Sequence, residues 1–106
     1  MNSGLIARSW GCRTPLRHAD GFHRHLLETG VADYRNQPGC REVCLLRRDS
    51  GDIAHFMLLS FWESMDAIRA YAGEKPEMAV LYDGDEAYGL DPDRFVSHYG
   101  TIATSL

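Results

Sequence analysis

The run from Ile53 to Trp62 is apolar at almost every position, with His55 and Ser60 its only polar members. Ser50-Gly51-Asp52 before it is a tight turn, so it forms an antiparallel hairpin with residues 41–49. Side chains alternate along a strand, which places Ile53, Met57, Leu59 and Phe61 opposite Ala54, Phe56, Leu58 and Trp62. Both faces are therefore apolar, and such a strand needs cover on both sides. Any fold proposed for the chain must supply two layers around it.

The flanking elements supply one. Leu5–Cys12 reads as a first strand, and Thr14-Pro15 as an N-cap followed by the first helical residue. Leu16, Ala19, Phe22, Leu26 and Leu27 then recur at helical steps. Gly30 interrupts the pattern, and Val31–Tyr34 adds a turn before Pro38-Gly39 stops it. After the hairpin, Ser64 caps a second helix in which Met65, Ile68 and Ala72 form the buried stripe, with Tyr71 beside them. Lys75-Pro76 breaks it, and Pro76 begins a short third helix carrying Met78, Ala79 and Tyr82. Residues 83–93 are acidic and broken by Gly84, Gly89 and Pro92, a surface loop; a last strand is expected over 94–103.

The order β-α-β-β-α-β is that of a ferredoxin-like α+β domain, two helices on one face of a four-stranded antiparallel sheet. The second apolar face of Ile53–Trp62 is then left open, a patch that soluble monomers avoid. The tail from Thr101 to Leu106 is too short to cover it, so a second copy of the chain is expected to do so. At 106 residues the chain is one domain spanning 1–106, and a core this thin gains from such a partner.

Charge narrows the other partners. The net charge is −4, the cations are Arg apart from Lys75, and they are scattered. No basic patch suits nucleic acid. No apolar stretch approaches the ~20 residues that span a bilayer. Met1-Asn2-Ser3-Gly4 lacks the features of a signal peptide, and a cytoplasmic location is expected. Three cysteines form no obvious disulfide framework, since Cys40 and Cys44 would lie ~13 Å apart along one strand. No Cys/His spacing matches a zinc site, and His18 and His25 stand two turns apart, ~10.5 Å, too far for one metal.

Residues 58–73, Leu-Leu-Ser-Phe-Trp-Glu-Ser-Met-Asp-Ala-Ile-Arg-Ala-Tyr-Ala-Gly, resemble the signature of the antibiotic-biosynthesis-monooxygenase-like domains. These place a Trp at the end of the third strand, then an acidic or polar pair, then a helix. Ile6-Ala7-Arg8-Ser9-Trp10, Pro38-Gly39 and His98-Tyr99 are similar too, so the resemblance runs over essentially the whole chain. It implies a ferredoxin-like fold assembled as a dimeric α/β barrel. It constrains chemistry less, because the superfamily holds cofactor-free oxygenases, haem-degrading enzymes and isomerases. The leading implication is a cofactor-free monooxygenase acting on a small aromatic or enolisable substrate: a base removes a proton and the carbanion reduces O2. The alternatives are a non-redox isomerase or lyase in the same cavity and a non-catalytic ligand-binding dimer. Convergence of Arg8, His98 and a Tyr would favour catalysis, and a filled cavity a structural module. Haem-degrading relatives carry an Asn on strand one and a His on the third helix. Here Ser9 is the nearest strand-one residue and 75–82 holds no His, which disfavours haem and leaves no cofactor expected.

His98 is the candidate base or orienting group, with Trp10, Trp62, Arg8, Tyr34 and Tyr82 as substrate-binding walls. The first and last strands neighbour each other in this topology, so His98 and Trp10 are expected to meet across the ladder. Each candidate also has a plainer reading. Trp62 fills core beside the second helix, His98 is a hydrogen-bonded core histidine, Arg8 pairs with an acid, and Tyr34, Tyr82 and Tyr99 pack. Relatives often carry His after the strand-one Trp; Gly11 stands there instead, which is expected to weaken a His-based mechanism and widen the cavity. His55 reads as a solvent-edge or interface residue, and His18, His23 and His25 as solvated helix residues.

Overall fold

Strand β3 (Ile53–Trp62) sits between β1 (Ile6–Pro15) and β2 (Cys40–Ser50), antiparallel to both. This computed structural model describes residues 4–106; Met1, Asn2 and Ser3, which enter the reading of the N-terminus, lie outside the described residues. Leu58 faces Trp10 on one side and Leu45 on the other, so the apolar run expected to be central is central. Two short strands, β4 (Asp91–Pro92) and β5 (Ser97–Gly100), share the far edge of β1. The fold is α+β and ferredoxin-like, with a five-stranded antiparallel sheet where four strands are expected.

The extra strand, β4, forms in the segment expected to be a surface loop, and only Ser97–Gly100 of the strand expected over 94–103 pairs with β1. Phe95 bridges to Met78, Val96 N–H donates to the Glu77 carbonyl, and Ala79 N–H to the Arg94 carbonyl. Residues 94–96 spend their hydrogen bonds on 77–79, and β1 is left with the segments either side. The same pairing explains why no helix forms after Pro76. A single turn at Pro76–Glu77 is closed by the Met78 amide on the Lys75 carbonyl, residues 77–79 are drawn out to meet 94–96, and the next helical turn is the 3-10 turn at Asp85–Tyr88.

The first helix also starts later than its cap signal suggests. Thr14 stays in β1, paired with Ala54, and the buried Thr14 Oγ1 has no hydrogen-bond partner. Ladder pairing prevails over capping, and α1 (Leu16–Leu26) begins with the Leu16 amide donating to the Asp52 carbonyl at 2.8 Å. Gly30 does not interrupt the helix. It lies in a π-helical turn, Leu27–Val31, that runs directly into α2 (Ala32–Arg35). Helix α3 (Met65–Ala72) starts as expected, the Ala67 amide donating to Ser64 Oγ at 3.1 Å, and ends at Gly73, whose φ of +93° suits glycine. Gly39 is needed for a different reason: a β-carbon there would collide with Ala67 of α3.

All three helices lie on one face of the sheet. Beneath them are Arg8, Trp10, Cys12 and Thr14 of β1 and Ala54, Phe56, Leu58, Ser60 and Trp62 of β3, every one buried. The opposite face is open. There Met57 is 43% exposed, Leu46 49% and Tyr99 59%, beside the half-buried Leu59 and Phe61. Among the described residues no helix is long and apolar enough to cross a membrane.

Candidate functional site

Arg8 is the most unusual residue on the covered face: a guanidinium 1% exposed, with no carboxylate within ion-pair distance among the described residues. Strand alternation turns it inward between Ile6 and Trp10, and β5 places His98 directly across the ladder from it. Its Nη1 donates to the Pro76 carbonyl at 2.6 Å and to His98 Nε2 at 2.9 Å. Nε donates to Tyr34 Oη at 3.2 Å and Nη2 to the Met78 carbonyl at 3.4 Å. The charge is thus held entirely by neutral acceptors. A buried cation without a counter-ion loses several kcal/mol of hydration, so its retention calls for a reason beyond packing.

His98 is set by this contact. Arginine has donors only, so Nε2 of His98 must accept, which leaves the ring neutral with its proton on Nδ1. Burial first, and then the Arg8 charge, hold the His98 pKa below its usual range, while Glu77 pulls the other way. The partner expected for His98 was Trp10, two residues further along β1. The register pairs Arg8 with His98, and the Trp10 indole N–H instead donates to the Asp93 carbonyl at 2.8 Å.

Trp10 lines a cleft between sheet and helices together with Gly30, Tyr34, Tyr71, Tyr82 and Asp85. The cleft is nearly closed, with about 10 Å³ of room, on the order of one water. A strap running from Gly73 to Phe95 roofs it, and within that strap Asp85 is the only buried residue. Trp62 stands behind the wall. It is fully buried, packs its ring against Tyr34 and Tyr71, and donates through Nε1 to Ser60 Oγ at 2.8 Å. Tyr99, considered for the pocket, points to the open face instead.

Several polar residues of the site carry no simple sequence signal. Tyr71 Oη lies 2.7 Å from Tyr82 Oη, and Tyr82 donates at 2.7 Å to Asp33 Oδ2. Burial, above all, pushes both phenols well above their ordinary range. Asp85, in the loop read as an acidic surface, is buried; its carboxylate accepts from the Tyr82 amide and lies 2.7 Å from His25 Nε2. His25 is accordingly no solvated helix residue: it is wedged between Phe22 and Tyr88. The partners in these contacts stand up to 60 residues apart in sequence, which is why spacing along the chain conceals them.

Gly11 points away from this cleft. It lines an open groove of about 390 Å³ on the uncovered face with Arg13, Leu46, Arg48, His55 and Met57, so it does not widen the cavity. Ser9 likewise lies on the face opposite Arg8 and Trp10.

Residues 13–76 match the model of the antibiotic biosynthesis monooxygenase family. The chain belongs to that family. Among solved structures it is similar to Rv0793 from Mycobacterium tuberculosis, at 20% identity and a TM-score of 0.63 over 96% of this chain and 99% of that one. It is similar also to a mutant form of SnoaB, a cofactor-independent oxygenase from Streptomyces nogalater: 15% identity, TM-score 0.62, 97% and 98% covered. The heme-degrading protein Rv3592 from Mycobacterium tuberculosis aligns as well, at 16% identity and a TM-score of 0.62, covering 94% and 96%. At such identities these likenesses establish the fold of this family member and not its chemistry. No curated protein matches the chain.

Proposed function

We propose that this family member is a cofactor-independent monooxygenase that draws a proton from a small aromatic or enolisable substrate held in the Trp10–Tyr34–Tyr71–Tyr82 cleft. The observation that carries the reading is the buried Arg8 guanidinium without a carboxylate, in contact with Tyr34 and His98. Positive charge fixed in a site of low dielectric stabilises an oxyanion as it develops. An enolate or phenolate oxygen would displace the neutral carbonyls of Pro76 and Met78, since charge-assisted hydrogen bonds to arginine are stronger than neutral ones. His98 serves as a positioning residue, because its Nε2 lone pair is spent on Arg8. For an anthrone the chemistry balances as loss of a methylene proton, oxidation of the carbanion by O2, and release of a quinone and one water.

The nearly filled cleft favours a second reading, a non-catalytic dimer in which the aromatic residues are core. The strap bears on this. It is fastened by hydrogen bonds to Arg8, Asp33 and His25 and by the half-buried Ala79, Tyr88 and Leu90, while most of its residues are exposed, the pattern of a segment with low local stability. Substrate entry requires it to swing out. We further propose that the open face carrying Leu46, Met57, Leu59 and Phe61 is covered by a second copy, as members of the family are typically small homodimers. The unpaired thiols of Cys12, Cys40 and Cys44 support a reducing, cytoplasmic setting.

Oxygen uptake by the purified protein with a panel of quinols and anthrones tests the reading. Uptake above the protein-free rate, with quinone as product, is expected. Tight binding of these compounds with no O2 consumed would leave the non-catalytic reading standing.

A further inference from the structure

If proton loss starts the reaction, the proton needs an acceptor, and His98 is engaged with Arg8. Tyr71 Oη, Tyr82 Oη and Asp33 Oδ2 form a continuous chain with successive separations of 2.7 and 2.7 Å. We propose that this chain takes the substrate proton out of the cleft, Tyr71 Oη receiving it and Asp33 holding it. The proposal rests on the reading above only in requiring chemistry that begins with a proton.

The direction of the chain follows from its end. An ionised carboxylate accepts and never donates, so Tyr82 spends its single proton on Asp33. Between the two phenols Tyr71 must then be the donor, which leaves a lone pair on Tyr71 Oη. Both rings line the cleft, so that lone pair belongs to the group nearest a bound substrate. Transfer moves one proton along each link: substrate to Tyr71, Tyr71 to Tyr82, Tyr82 to Asp33. Both phenols end as they began, the carboxylate becomes a carboxylic acid, and the substrate becomes an anion.

Three surroundings suit this role. The Arg8 guanidinium carbon lies 5.9 Å from the centre of the Tyr71 ring, so the new anion forms beside a fixed positive charge. The phenols, raised by burial, stay protonated at neutral pH and pass protons without storing them. Asp33 is half-buried, with its other oxygen bound by Gln37 Nε2 at 3.2 Å, so it can return the proton to solvent. Tyr71 is the catalytic residue in this scheme. Tyr82 and Asp33 act through it.

The test uses anthrone as probe, without O2, in D2O. Exchange of its methylene protons is followed by NMR with the full-length wild-type protein, Asp33→Asn and Tyr82→Phe. Wild type should exchange the probe faster than buffer, and either variant should lose about 10²–10⁴-fold. The loss should fall on the exchange rate and leave the affinity for anthrone within a few-fold of wild type, a split that a merely structural role would not produce. Tyr82→Phe keeps every ring contact and carries the test alone if Asp33→Asn fails to fold. Variant rates within a few-fold of wild type, or a wild-type rate no faster than buffer, would overturn the proposal. Exchange by wild type with no O2 consumed on aeration supports the relay and defeats the oxygenase reading. Oxygen uptake undiminished in both variants does the reverse.

Discussion

The two faces of the one sheet solve different problems. The covered face pairs bulky aromatic residues with a buried charge and a set of hydrogen-bonded side chains: Arg8, His98, Tyr34, Tyr71, Tyr82 and Asp33. The open face holds Met57, Leu59, Phe61 and Leu46, a bare apolar area with Arg13, Arg48 and His55 at one end of it. On the covered face the polar groups are buried or half-buried and bonded to one another; on the open face apolar side chains lie bare beside solvent-facing charges. A face specialised by hydrogen bonds is expected to control activity, and a face specialised by area to control association.

Substitutions on either face should separate those roles. The largest effect belongs to Trp62→Ala, which removes a fully buried ring and the donor to Ser60 Oγ. Truncations of this kind cost about 3–5 kcal/mol. Melting followed at several protein concentrations should show a fall that dilution does not change. A small shift would mean that the cleft wall is soft, and the contrast between faces would weaken.

On the open face, Met57→Asp places a charge at a position 43% exposed in the single chain. Folding of the chain itself should scarcely respond, as at most surface sites. Association should weaken by tenfold or more, since a charge buried in an interface without a partner loses its hydration. Sedimentation velocity on wild type and variant decides the matter. A wild-type protein that sediments as a monomer at micromolar concentration removes the interface altogether.

Arg8→Met sharpens the comparison within the covered face. The replacement relieves the hydration loss of a buried cation, and it orphans Tyr34 Oη, His98 Nε2 and the carbonyls of Pro76 and Met78, at about 1–3 kcal/mol per group left unsatisfied. These effects oppose each other, so the net change in stability should be well below that of Trp62→Ala. Oxygen uptake with anthrone should nonetheless collapse. Loss of stability comparable with Trp62→Ala, measured by denaturant titration, would make Arg8 a structural residue.

How far the sequence carried this picture differs between elements. β3 was legible because a ten-residue run apolar on both faces, His55 and Ser60 aside, has one physical outcome. Ser64 was legible because a cap acts within three residues of itself. Thr14 misled, since its capping preference is worth less than a β1–β3 ladder that continues through Pro15. The strap misled for the same kind of reason: Pro76 favours a helix start locally, yet residues 77–79 gain hydrogen bonds from 94–96. In the site, Arg8, Trp10 and His98 were recognisable as polar groups on apolar strands, although a register offset of two residues exchanged the partner of His98. Tyr82 was named as a wall without its link to Asp33, and Asp33 and Asp85 were obscured, because these contacts exist only once α2, the strap and α1 are packed together.

The smallest expected effect is also the most specific to the covered face. Folding lowers the His98 pKa below the 6.5 of a free histidine, through burial and the Arg8 charge. Just below pH 6.5 the unfolded chain therefore binds a proton that the folded chain does not. Stability contributed by neutral His98 is complete above that pH and declines as pH falls toward the folded value. Protonation would also set an imidazolium against a guanidinium at the 2.9 Å contact, and Glu77 offsets only part of that repulsion. His98→Gln has no ring to titrate. The difference between wild-type and variant unfolding free energies isolates the contribution of His98. That difference should be constant above about pH 6.5 and should shift in acid against the wild type. Two curves that stay parallel from about pH 8 to about pH 5 would show that His98 has the same proton affinity folded and unfolded, and that its contact with Arg8 is too weak to fix the tautomer on which its positioning role depends.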